Sequence, residues 1–277
     1  EGGEVADYEI QFEPPNKVFI PETPHTKIPI IAVATTLGAA ELSRGGGGFT
    51  SKKLGRKILI SGKGTTPRVI IIDGQALATT PLSIQLSTGI GQFRIAVESL
   101  YSKDHQPIGD ALALHTIKML VEHLPQCVDQ NIDSLLQAKS ASCMIMLARP
   151  GLGLNTAMAH NIGGLYDVPH GEANSIILPY TMRFNLDASA DRQVLIAQAM
   201  GIDTSNMTNE DAGLAAADGV SQLCQKLGLP MRLRDVGVPE EGLELIAAAT
   251  LHDRGLATNP KQITDAGPIM SVLRDAW

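Results

Sequence analysis

Aromatic side chains are scarce. They make up 4% of the 277 residues, with one tryptophan, so large rings do not carry the core. Alanine, leucine, isoleucine and glycine must pack it instead, within a hydrophobic content of 44%, which suits helices in close contact. Cysteine is equally sparse. Cys127, Cys143 and Cys224 are odd in number, widely spaced and without a metal-type pair. That excludes a disulfide framework and points to buried free thiols in a reducing, cytoplasmic compartment. No basic tract offsets the formal net charge of −7, so nucleic acid is not an expected partner. No apolar run reaches the length of a membrane span, and no signal-like segment opens the sequence. The first residue is Glu1 rather than a methionine, as in a processed or trimmed chain. The length suits one large domain or two smaller ones.

Proline-dotted residues 1–28 (Pro14, Pro15, Pro21, Pro24) read as an arm or irregular edge strand. Ile30 to Ala34 is a short buried strand running into Thr35-Thr36-Leu37-Gly38. Such a turn either meets a phosphate or carboxylate with its backbone N–H groups or simply connects strand to helix. Gly45 to Gly48 reads as a flexible loop, without the lysine of a P-loop. Arg56 to Ser61 and Arg68 to Asp73 are two further strands, and the turn residues between them predict a hairpin or close neighbours. After Pro81 the pattern becomes helical, in nine segments from Ile84 to Arg274. Prolines at 107, 125, 150, 179, 230 and 260 punctuate many of their ends.

The most informative stretch is Ala157 to Asn185, AMAHNIGGLYDVPHGEANSIILPYTMRFN. Gly163, Gly164 and Pro169 break the chain between His160 and His170. The spacing predicts His160 near a helix C-terminus and His170 opening the next helix, with both imidazoles aimed into one cleft. On that reading the helix dipole favours neutral His170 as a base and charged His160 as an acid. Alternatively, both rings hold the corner by hydrogen bonds to backbone.

These residues resemble the iron-containing (group III) alcohol dehydrogenase family. Thr35 to Gly38 with Glu41 is similar to its TTxGTGSE segment, one residue shorter. Gly89 to Tyr101 resembles GMDALTHAxEAY, and Asp110 to Leu124 the helix after it. Ala157 to Asn185 resembles MAHxLGGxYxxPHGxANAxLLPxVMxFN, and Thr258-Asn259-Pro260 the closing TNPR-like turn. The resemblance spans nearly all of residues 29–277. It implies a dehydroquinate synthase-like architecture: an α/β, strand-rich remnant of the nucleotide-binding region over residues 1–82 and an all-α domain over residues 83–277. It also implies an oxidoreductase acting on a small alcohol, aldehyde or oxo acid.

Two departures qualify what the resemblance implies. In the family an aspartate and three histidines hold a divalent metal. Carried over, the aspartate falls on Gly91, the first histidine on Ile95, the second on Thr156 and the last on His170. The implied site therefore lacks its metal, unless His115 or Glu98 substitutes. In addition, the family's N-terminal lobe with its glycine-rich turn, roughly 100 residues of domain size, has no counterpart here. NAD(P) is implied by resemblance, but Thr35 and Thr36 are the cofactor-surface residues that remain, and a longer precursor or partner chain is expected to supply the rest. Homo-oligomers are the other way to cover the sheet edges so exposed. Arg94, beside the lost histidine position, stands in for the ion's charge, or grips a carboxylate, or, as its place on the helix suggests, faces solvent. Glu98 is expected in a structural ion pair, with Tyr101 and Tyr166 packing. The site expected is thus His160, His170 and Arg94 without metal. Two other functions stay open: cofactor-independent acid/base chemistry of hydrolase, lyase or decarboxylase type, and a non-catalytic binding or assembly subunit.

Overall fold

The computed structural model describes residues 4–13, 17–23, 28–43, 46–51, 56–62, 66–148 and 151–277. Pro14, Pro15, Pro24, Gly45 and Pro150, on which several of the expectations above rest, lie outside the described residues.

Among the described residues, six short strands form three two-stranded sheets. β1 (Gln11–Glu13) pairs antiparallel with β2 (Lys17–Phe19), giving the N-terminal arm a hairpin. β3 (Ile31–Ala34) pairs parallel with β6 (Val69–Ile72), Ile31 opposite Val69. β4 (Gly46–Ser51) pairs antiparallel with β5 (Arg56–Ser61). Two expectations are corrected here. The glycine run from Gly46 is a strand, not a loop, because β5 supplies a complete ladder and its Ile58 is buried. The segments around β5 and β6 do not form a hairpin, because each finds its partner elsewhere, β5 upstream in β4 and β6 in the distant β3. Hydrophobic patterning marks a strand but does not name its partner.

The helices follow the sequence periodicity closely. After the short α1 (Gly74–Ala78), capped by Asp73, come α2 (Leu82–Tyr101), α3 (Pro107–His123) and α4 (Ile132–Leu147). Then follow α5 (Leu154–Tyr166), α6 (His170–Asn185), α7 (Ala190–Ala199) and α8 (Asn209–Lys226). α9 (Leu243–Thr250) and α10 (Ala266–Ala276) close the chain. Pro179 lies inside α6 rather than at an end. Its missing N–H leaves the Ser175 carbonyl without a helical donor, and the Cys224 thiol approaches that carbonyl at 3.9 Å.

Two apolar clusters form the core. One gathers around Phe93 of α2 with α3, α4, α7 and α8. The other joins α5, α6, α9 and α10 through Leu154, Ile177, Ile246 and Leu273. α2 is buried along almost its whole length, so even its polar side chains must find partners inside the protein. No helix among the described residues is long and apolar enough to cross a membrane.

Candidate active site

α5 and α6 meet at the corner the sequence marks. α5 does not stop at Gly163-Gly164 but runs on to Tyr166, and Asp167 turns the chain in the left-handed region at φ 55°. Burial of its face against α6 and α9 outweighs the roughly 1 kcal/mol that each helical glycine costs. His160 therefore sits in the middle of α5, not near its end, and the dipole does not set its charge. His170 does open α6, with Pro169 at the cap. Gly171 lets this end reach α2, because a Cβ there would fall 2.4 Å from the Ser87 carbonyl oxygen.

The two imidazoles come together as expected. Their centroids lie 5.6 Å apart with planes at 16°, a stacked pair. His160 Nδ1 is 2.8 Å from Asp253 Oδ2, while Asp253 Oδ1 accepts from Gly255 N–H at 2.7 Å. Asp253 thus has both carboxylate oxygens fixed, and it holds the ring through Nδ1, which leaves Nε2 as the nitrogen it does not bind. The turn carrying it is pinned by Asn259, fully buried, whose Oδ1 accepts from the Leu154 N–H at 3.1 Å and from Asn185 at 3.0 Å. Asp253 escaped sequence reasoning. The local signal is its D-x-G turn before Thr258-Asn259-Pro260, but its partner is 93 positions away.

Both rings line a cleft of about 690 Å³, with Thr36, Gly91, Arg94 and Ile95. Thr36 reaches it. Thr35 is not among its lining residues, and its carbonyl accepts from Thr80 at 2.6 Å and from Gln85 at 3.0 Å. Beneath the cleft, Lys139 of α4, fully buried, donates to the Gly38 carbonyl and to Glu41 Oε1, anchoring the turn after β3.

Arg94 corrects the solvent-facing expectation. It is 4% exposed. Its Nη1 donates to Glu98 Oε2 at 3.1 Å and to the Thr156 hydroxyl. That hydroxyl in turn donates to Glu98 Oε2, and Thr156 N–H donates to Oε1 at 3.2 Å. Helical spacing placed Arg94 away from Ile95, but α2 has protein on nearly every side. Glu98 is the ion-pair residue expected. Tyr101 is buried, and burial together with the Glu98 carboxylate holds its phenol well above the usual range.

These residues do not fit a divalent metal. Gly91 offers no donor, Ile95 offers hydrocarbon, and the Thr156 hydroxyl is committed to Glu98 and Arg94. Neither substitute helps: Glu98 is engaged, and His115 lines a separate groove between α3 and α7. Among the described residues no three His, Cys, Asp or Glu side chains are grouped to hold an ion. A catalytic metal needs about three protein ligands. Nor do the described residues complete a dinucleotide cradle. The first turn of α1 is taken by Asp73, which accepts from Ala76 N–H at 2.9 Å. The N–H of Leu37 donates to Gln85 at 3.0 Å. A pyrophosphate needs such groups unclaimed.

Comparison with known proteins places this architecture. Residues 85–277 match the model of the Fe-containing alcohol dehydrogenase family, C-terminal. The chain is 34% identical to a 1,3-propanediol dehydrogenase of Citrobacter freundii over 253 residues, 90% of this chain and 65% of that protein. It is 31% identical to a lactaldehyde reductase of Escherichia coli (strain K12), over 90% of this chain and 66% of the other. A crystal structure of a 1,3-propanediol oxidoreductase superposes with a TM-score of 0.88 at 31% identity, covering 100% of this chain and 71% of that one. The chain therefore spans about two thirds of the length of these curated relatives. On these grounds it belongs to the Fe-containing alcohol dehydrogenase family.

Proposed function

We propose that the chain forms the substrate-holding, proton-transferring part of an oxidoreductase that interconverts a small alcohol with its aldehyde or oxo acid without the family's divalent metal. The observation that carries this reading is the His160–Asp253 pair, 2.8 Å apart at the edge of a cleft also lined by His170. Reducing a carbonyl requires a proton at oxygen as the carbon gains hydride, and oxidising an alcohol requires the reverse. His160 is built for that exchange: Asp253 holds Nδ1, so Nε2 gives or takes the proton at the substrate oxygen. His170 stacks on the ring and fixes its plane. Arg94, paired with Glu98, lies beside the position where the resemblance puts the ion and keeps its Nε–H to donate.

Relatives support the reaction class through their names, a propanediol dehydrogenase and a lactaldehyde reductase. By resemblance the hydride carrier is a nicotinamide dinucleotide, and the rest of its site belongs to a longer chain or a partner. The β3–β6 pair is consistent with such a neighbour. Ile31, Val33, Val69 and Ile71 are exposed on it, whereas parallel sheets are ordinarily covered on both faces. Another copy of the chain would cover it equally well.

A second reading has support from the same residues. The positions matching three of the four metal ligands have lost them, while the histidine corner remains with Asp253 held against it, as metal-free acid/base chemistry would require. One assay separates the two. NADH and NADPH consumption is followed with a panel of small aldehydes and oxo acids in the assembly that includes the longer chain or partner carrying the rest of the nucleotide site, for the parent sequence and for His160→Gln. Turnover that falls about 10²–10⁴-fold in the variant is expected. No nucleotide consumption with any carbonyl would remove the oxidoreductase reading.

A further inference from the structure

The cleft carries arginine side chains whose hydrogen-bonding capacity is unspent. Arg94 uses Nη1 for Glu98 and Thr156, but its Nε is buried without a partner among the described residues. The edge formed by Nε and Nη2 is one of the two that a carboxylate takes in parallel. Arg254 lines the same cleft. It makes no ion pair or hydrogen bond among the described residues, and its Nε is likewise buried and unpartnered.

Glu98 already meets the charge of Arg94, but a buried N–H left without an acceptor is itself costly, and the half-buried Arg254 has no counter-charge among the described residues. The carboxylates near the cleft are committed elsewhere. Glu98 binds Arg94 and Thr156, Glu41 binds Lys139, and Asp253 binds His160. Gly91 removes a further carboxylate from the position that matches the family's aspartate. A Cβ there would meet nothing within 4 Å, so open space lies beside Arg94. The N-terminal turn of α6, at His170 and Gly171, adds the positive end of a 16-residue helix to the same wall. A site that in the resemblance attracts a cation is here built to attract an anion.

We infer that the cleft takes a small carboxylate-bearing substrate, an oxo acid or its hydroxy acid, whose carboxylate is gripped by Arg94 and Arg254 while its reacting oxygen faces His160. This rests on the proposed reading for the identity of the reacting group, but the carboxylate site can be measured without turnover. A planar carboxylate matches the Nε–Nη2 edge in a way that a neutral ester cannot.

The test is calorimetric titration of the full chain with pyruvate, methyl pyruvate and inorganic phosphate, without nucleotide. Pyruvate is expected to bind about tenfold or more tightly than its methyl ester, as for hydrogen bonds to a charged group. Arg254→Gln should remove that preference and Arg254→Lys should restore part of it, with folding checked by circular dichroism. Arg254 sits in a turn outside both core clusters, so these variants are preferred to changes at the buried Arg94. Equal affinity for acid and ester, no binding of either, a preference that survives Arg254→Gln, or tighter binding of phosphate than of pyruvate would each overturn the inference. The same variants, in the assembly that supplies the rest of the nucleotide site, are then given NADH or NADPH. A carboxylate preference without nucleotide consumption would end the oxidoreductase reading and leave the carboxylate site standing. Turnover of neutral aldehydes without that preference would do the reverse.

Discussion

Nδ1 of His160 and Oδ2 of Asp253 lie 2.8 Å apart, brought together from positions 93 residues distant. A carboxylate in that place selects the tautomer with the proton on Nδ1 and fixes the orientation of the ring. The two side chains should therefore act as one unit. His160→Gln removes the proton carrier, and Asp253→Asn is expected to cost part of the same loss in kcat. The double variant should lose no more than His160→Gln alone. Losses that multiply would show that Asp253 acts separately from His160.

Arg94 and Glu98 form a buried ion pair at 3.1 Å, with Glu98 fully enclosed. Removing one member leaves the other charge stranded, at a cost of about 3–5 kcal/mol. Arg94→Met should lower stability in urea unfolding by that order, and Arg94→Met combined with Glu98→Leu should recover much of it. Equal stability of the single variant and the parent chain would contradict the buried pair.

The helices and their order could be read from periodicity because each buries a face wide enough to show in the sequence, as α3, α4 and α8 do nearly to the residue. The His160–His170 corner was visible for the same local reason: glycines, a proline and a helix start mark it. What could not be read depends on contacts distant in sequence. Gly46 to Gly48 have no side chains to announce a strand, and only β5 makes them one. Arg94 looked exposed because a helical wheel shows one helix and not its neighbours. Asp253 was missed because its function lies in its partner and not in its surroundings.

Cys224 is buried, and burial pushes its thiol from an ordinary 9.0 to about 12. Cys127 is raised to about 11 for the same reason. The folded state thus keeps protons that the unfolded chain releases above pH 9. Their contribution to stability is complete below pH 9 and is lost as pH rises toward 12. Buried Tyr101, raised by burial and by Glu98, acts in the same direction. Urea midpoints measured across this alkaline range should fall, and thiol reagents near neutral pH should modify Cys224 only after unfolding. Rapid labelling of Cys224 in the native chain would be inconsistent with its burial.

Ile31 and Val33 of β3, with Val69 and Ile71 of β6, are exposed by 45–65%. An uncovered apolar sheet favours association. Size-exclusion chromatography with light scattering should give a mass above the monomer, and Val33→Lys with Ile71→Lys should reduce it. A monomer mass for the parent chain would count against association through this sheet.

The most direct test of a cleft that works through its own side chains is metal content, determined by elemental analysis on the purified chain before and after chelation, with carbonyl turnover measured on both samples in the assembly that supplies the rest of the nucleotide site. The account predicts no stoichiometric iron or zinc and the same turnover after chelation. A bound divalent ion near one per chain, with turnover lost on its removal and regained on its return, would contradict it. The charge that polarises the substrate would then be the metal's, not an arginine's.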